Sequence, residues 1–207
     1  MSDFTYENKM LENKLETYEW DNVWWEQTND NKAPRVLYIG DSISCATRRV
    51  ATRTSDNTVL FDGFGTSKAL DNPYFTDSVS IFAKQQGERR AVLFNNGLHG
   101  WHLDDETEYA RAYENMISFL LKEFYSIPLI LLLTTHIADS ERDKRVQTRN
   151  RVVCELAKKY DLGVVDFYSI TKEHNELLSS DGVHLLADGY QLLADELVKY
   201  IRVQILK

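Results

Sequence analysis

Three short polar segments of this chain carry the residue types of nucleophilic catalysis. The first, Gly40-Asp41-Ser42-Ile43-Ser44, directly follows the apolar run Arg35-Val-Leu-Tyr-Ile. Gly40 permits the sharp turn that a strand-to-helix junction demands. Ser42 then stands at or near a helix N-terminus, where the helix dipole favours developing negative charge. The first amides of a helix have no intrahelical acceptor, so they are available to an oxyanion. A serine in that place is also a common helix cap. The second segment is Asn95-Asn96-Gly97-Leu98-His99-Gly100, in which Asn95 or His99 could donate a hydrogen bond into a pocket. An Asn/Gly turn would have the same composition. The third is Ser180-Asp181-Gly182-Val183-His184-Leu185. A spacing of three in a short loop lets the Asp181 carboxylate reach Nδ1 of His184, which fixes the tautomer and leaves Nε2 as a base.

The three segments weigh more together than singly. A nucleophile, a base with its orienting carboxylate, and a polar donor must converge on one place. The elements between them bring them there. Val36–Ile39, Thr58–Phe61, Ala91–Phe94, Leu129–Leu133 and Val164–Phe167 are short apolar runs bounded by Gly, Asp or Asn, as buried parallel strands are. Helical spacing joins Tyr109, Tyr113, Met116, Leu120 and Phe124, then Val146, Val153, Ala157 and Tyr160, then Tyr190, Leu193, Leu197, Ile201 and Ile205. Strand–helix alternation predicts a parallel sheet with helices on both faces, a three-layer α/β domain. In such folds the carboxyl ends of the strands carry the chemistry; the first two polar segments fall at strand ends, and the third lies in the last loop, which the fold would bring to the same edge.

Bulk properties narrow the function. The 207 residues suit one domain, and no repeat or linker divides them. A net charge of −8 argues against nucleic acid and anionic membranes as partners. Two cysteines, Cys45 and Cys154, are too few for a disulfide framework or a Cys-rich zinc site. The polar start lacks the pattern of an export signal, and the longest apolar run, Ile127–Leu133, is too short to span a bilayer; a cytoplasmic location is the expectation. Residues 1–34 stand apart as a polar arm, read as a helix whose tryptophans Trp20, Trp24 and Trp25 pack onto the body; a dimer contact through them is an alternative.

Gly40-Asp41-Ser42-Ile43 resembles the GDS(L) block of the SGNH (GDSL-like) hydrolases, and Asp181-Gly182-Val183-His184 resembles their DxxH block. The resemblance covers about Arg35 to the C-terminus. It implies a flavodoxin-like α/β/α sandwich on a parallel five-stranded sheet over residues 35–207. It also implies Ser42 as nucleophile, His184 as base and Asp181 as its orienting carboxylate. The oxyanion hole would comprise the amides of Ser42 and Gly65, with Gly63 as rival to the latter, and a side-chain donor. The family places an asparagine there, in Gly-x-Asn-Asp, where this chain reads Gly97-Leu98-His99-Gly100. His99 therefore takes the position, with Asn95 as the alternative donor. Asp41, Gly97 and Trp101 are expected around the substrate pocket. No metal or organic cofactor is called for.

The activity so implied is hydrolysis of short-chain acyl esters, with O-acetyl groups on carbohydrates as the leading candidates. No apolar lid of a true lipase is visible. The departure at His99 sustains a second reading, an inactive member of the fold that binds a glycan or a protein. A metal site from His99 and His102 with Asp104 and Asp105 is a weaker rival. Cys45 as nucleophile is weaker still.

Overall fold

The computed structural model describes residues 15, 16 and 18–206. The chain runs β1 (Asp21–Trp24), β2 (Arg35–Gly40), α1 (Ser42–Thr54), β3 (Leu60–Thr66), α2 (Phe75–Gln86), β4 (Ala91–Phe94), α3 (Glu106–Glu123), β5 (Leu129–Leu132), α4 (Ser140–Tyr160), β6 (Gly163–Val165), α5 (Phe167–Glu173) and α6 (Ala187–Tyr200). The sheet order is β1-β3-β2-β4-β5-β6, parallel from β3 to β6.

The strands are buried on both faces, so their sequences read as continuous apolar runs rather than alternating ones. Period two still sorts the side chains. Leu37, Ile39, Val92, Phe94 and Leu131 pack with α2, α3 and the C-terminal half of α4. Val36, Tyr38, Ala91, Leu93 and Leu132 pack on the opposite face with α1, α5 and α6. The result is the three-layer α/β/α arrangement expected.

The sheet has six strands, not five. The added one, β1, pairs antiparallel with β3 at the edge, opposite residues Gly63–Thr66. It comes from the arm read as helical. Residues 1–14 lie outside the described residues, but Asp21–Trp24 is a strand. Its partner lies some forty residues later in the chain, and local spacing carries no trace of so distant a pairing. Tertiary contacts fix it: Lys68 Nζ pairs with Asp21 Oδ1 at 2.6 Å, and buried Arg48 reaches Asn22.

Strand β3 also runs further than its apolar stretch, because Asp62 is buried in it against Arg35 at 2.9 Å. The two glycines that follow make room for α1. A Cβ on Gly63 would meet Arg48, and one on Gly65 would come within 2.2 Å of the Cys45 sulfur. The chain passes from β2 to β3 on one side and then crosses from β3 to β4 on the other side of β2, so the end of β2 is the switch point of this sheet. Ser42 is two residues beyond it.

Candidate active site

Strand β2 ends at Gly40, and Asp41 caps α1 by accepting the Ile43 amide at 2.9 Å. The Ser44 hydroxyl donates to the Asp41 carbonyl at 2.6 Å. Ser42 is thus the first residue of α1, on a turn held from both sides. Asp41 itself is buried; burial raises its pKa, opposed by the Ile43 amide and by His184. It faces a small internal cavity beneath the Ser42 turn, with Tyr38, Asn95 and Thr135. Its carboxylate caps the turn, and it is not among the residues that line the cleft beside Ser42.

The loop before α6 meets Ser42 from across the sheet edge. His184 Nε2 lies 2.8 Å from Ser42 Oγ, and His184 Nδ1 lies 2.6 Å from Asp181 Oδ2. The other carboxylate oxygen of Asp181 accepts the amides of Val183 and His184 and the Ser179 hydroxyl, at 2.7–2.9 Å. Burial pushes this carboxyl up, but the His184 hydrogen bond and the other donors outweigh it and hold its pKa far below the usual carboxylate range. Gly182 takes a positive φ of 72°, open to glycine at no cost, and the Ala138 amide donates to its carbonyl at 2.8 Å.

The loop after β4 forms the third wall. Arg149 of α4, almost wholly buried, donates to the carbonyls of Gly97, His99 and Gly100 at 3.0, 2.8 and 2.7 Å, and more distantly to Leu103 at 3.4 Å. Its guanidinium also lies over the rings of Trp101 and Tyr109, at 4.8 and 4.5 Å. From the N-terminal segment, Glu16 accepts the Gly100 amide at 2.6 Å and lies 3.8 Å from His99 Nδ1. Burial drives the Glu16 pKa up to about 7. Burial, followed by the charges of Arg149 and His184, drives that of His99 down to about 4. His99 is therefore a neutral imidazole at pH 7, able to donate from one nitrogen only.

Ser42, Leu98, His99, Trp101, Ile137, Arg142 and Val183 line one cleft. Trp101 stands on its wall as expected. Gly97 lies behind it, where a Cβ would strike the Thr134 side chain at 1.7 Å. Of the two side-chain donors proposed by the sequence, Asn95 spends both amide hydrogens inward, on Leu132 O at 2.8 Å and Thr134 Oγ1 at 3.1 Å. His99 faces the cleft.

Gly65 is placed differently from expectation. It lies inside β3, opposite Asn22 of β1 and Gly40 of β2. Leu60 N–H donates to Pro34 beside β2, and Ser67 N–H donates to Trp20 beside β1. By the two-residue alternation of a strand, the amides of Gly63 and Gly65 turn toward β1, away from β2 and the serine turn that follows it. Neither glycine presents an amide to the cleft.

The rival sites separate. His102 is held by Asp71 at 2.9 Å, Asp105 caps α3, and Asp104 pairs with Arg145. Among the described residues no group of three His, Cys, Asp or Glu side chains is arranged to hold a metal. Burial raises the Cys45 thiol, the opposite of nucleophile activation. His136, given no role from sequence, pairs with Asp143 at 2.8 Å on the loop that carries Ile137. Glu16, Arg142 and Arg149 were not legible as site residues. Each is a charged residue in an unremarkable polar or helical context.

The fold is that of the GDSL/SGNH hydrolases. A GDSL-family lipolytic protein from Veillonella parvula superposes with a TM-score of 0.68 at 18% identity, over 82% of this chain and 99% of that one. A lipase/acylhydrolase from Enterococcus faecalis gives 0.66 at 19%, over 83% and 97%. An acetyl xylan esterase gives 0.64 at 18%, over 81% and 99%. No family model matches the sequence, and no curated protein matches it either. Among the described residues no helix is long and apolar enough to cross a membrane.

Proposed function

We propose that this protein is a serine ester hydrolase acting on short acyl esters. The reading is carried by one observation, the hydrogen-bonded series Ser42 Oγ, His184 Nε2, His184 Nδ1, Asp181 Oδ2. Ser42 Oγ attacks the ester carbonyl as His184 Nε2 takes its proton. Asp181, kept ionised by its four donors, stabilises the imidazolium. The tetrahedral oxyanion is held by the Ser42 amide, which opens a helix and has no intrahelical acceptor, and by the ring N–H of neutral His99. His184 returns the proton to the leaving alcohol. Water, activated by the same histidine, then cleaves the acyl-enzyme.

The cleft supports a small acyl group. Leu98, Ile137 and Val183 give it an apolar wall beside Ser42. Acetyl esters of carbohydrates are the leading candidates, since such a wall suits a small acyl group and an acetyl xylan esterase shares the fold. Trp101 does not offer a sugar-stacking face, because it is buried beneath arginines.

The test compares the protein with Ser42→Ala on p-nitrophenyl acetate and longer homologues, with labelling by a fluorophosphonate in parallel. Activity that falls with acyl length, vanishes in the variant and accompanies labelling of Ser42 is expected. An unlabelled Ser42 would refute the proposal and leave a binding protein of the same fold.

A further inference from the structure

Three arginines project from one face of α4 at a spacing of three and four: Arg142, Arg145 and Arg149. Two are committed to the protein. Arg149 is consumed by the carbonyls of the loop after β4, and Arg145 by the Trp101 carbonyl and Asp104. Arg142 is different. It is half-buried, lines the cleft that contains Ser42 and His99, and forms no ion pair among the described residues. Its guanidinium is held 5.8 Å from the centre of the Trp101 ring. The remaining cleft side chains besides Ser42 and His99 are Leu98, Trp101, Ile137 and Val183, none of which carries charge. The acids nearest to Arg142 in the chain have other partners: Asp139 accepts the Glu141 and Arg142 amides, Glu141 pairs with Lys144, and Asp143 pairs with His136.

A chain of net charge −8 thus presents a cation without an ion-pair partner among the described residues in the cleft lined by Ser42. A positive site in an acidic protein draws anions to it and discriminates between charged and neutral ligands. A guanidinium beside an aromatic ring is suited to a planar, two-oxygen acceptor, which it binds with two parallel hydrogen bonds. The apolar pocket next to it accepts a small acyl group, so the anion belongs to the other half of the ester.

Resting on the esterase reading above, we propose that Arg142 selects substrates whose alcohol portion carries a carboxylate near the scissile bond, such as an O-acetylated uronic acid. Hydrolysis then releases acetate and leaves the carboxylate-bearing alcohol, with water as the only co-reactant.

The experiment measures acetate release from an O-acetylated methyl uronoside and from the same glycoside with its carboxylate converted to a carboxamide. The ratio of their kcat/KM values is taken for the wild type, Arg142→Lys, Arg142→Gln and Arg142→Glu. A wild-type ratio of about tenfold or more is expected, since one charge-assisted pair is worth at least that factor. It should fall partway in Arg142→Lys, to about one in Arg142→Gln, and below one in Arg142→Glu. It should also shrink with added salt. A wild-type ratio near one, or a preference that survives in Arg142→Gln, overturns the proposal. Labelling of Ser42 by a fluorophosphonate separates the two levels. A labelled serine without carboxylate preference refutes the Arg142 assignment alone, whereas an unlabelled serine refutes the esterase reading and this one with it.

Discussion

Arg149→Met removes the clamp on the loop that presents His99. Methionine keeps most of the aliphatic volume and takes away the guanidinium. Three carbonyls, those of Gly97, His99 and Gly100, lose a donor at 3.0 Å or less, and the Leu103 carbonyl at 3.4 Å loses a weak one. The Gly100 carbonyl keeps the Leu103 amide at 3.0 Å, so two acceptors are left unsatisfied, and at about 1–3 kcal/mol each they give roughly 2–6 kcal/mol gross. The burial of the guanidinium itself opposes this. That burial drives the Arg149 pKa down to about 10, and a buried ion costs several kcal/mol that the substitution recovers. The expected net loss is about 2–4 kcal/mol, large against a typical total stability of about 5–15 kcal/mol. Urea denaturation followed by far-UV circular dichroism measures it. Under conditions where the variant remains folded, kcat on p-nitrophenyl acetate should fall at least tenfold, because His99 loses its support. Arg149→Lys should lie between, as one ammonium cannot reach every carbonyl the fork does. A stability loss below about 1 kcal/mol in Arg149→Met, with unchanged kcat, would show that the loop holds its shape without the clamp and refute the argument.

Further outcomes follow from the same geometry. His99→Ala should lower kcat by about 100-fold, the usual cost of one oxyanion donor, and His99→Gln should recover part of that; an unchanged kcat in His99→Ala would remove His99 from the oxyanion hole. Gly97→Ala places a methyl 1.7 Å from Thr134 Oγ1 and 2.7 Å from Thr134 Cβ. It should cost about 1–3 kcal/mol and lower kcat, so a variant with wild-type melting temperature and rate would contradict the packing described. The pair Glu16 and His99 governs a pH response. Between pH 4.5 and 6.5 folded Glu16 holds a proton that the unfolded chain has lost, so it makes stability fall as pH rises. Over the same interval the unfolded chain holds a proton on His99 that the folded state lacks, so His99 makes stability rise with pH. The two offset each other. Glu16→Gln removes the falling contribution, and its melting temperature should climb more steeply with pH across that interval than that of the wild type; parallel curves would exclude the buried Glu16 proton.

What the sequence determined is the part of the site that short range decides. The turn from β2 into α1 is written in Gly40-Asp41-Ser42, where a glycine, a cap and the serine that meets His184 are adjacent. The contact between Asp181 and His184 is likewise set by a spacing of three in one loop. The parallel strands were legible because burial on both faces makes them continuous apolar runs, and the α/β/α layering followed from their alternation with helices. The meeting of Ser42 with His184 was inferred from the rule that strand ends share one edge, and the two side chains lie 142 residues apart in the chain. The rest needed the tertiary structure. The pairing of β1 with β3 and the contact of Glu16 with Gly100, 84 residues away, leave no local pattern. Gly65 illustrates the limit most clearly. A glycine after a strand has the same composition whether it serves an oxyanion or makes room for a helix, and only the sheet register shows its amide turned toward β1 and its face filled by Cys45. Arg142 and Arg149 are alike in sequence and differ by whether the fold surrounds them with carbonyl groups. Arg149 is surrounded, and Arg142 is left facing the cleft.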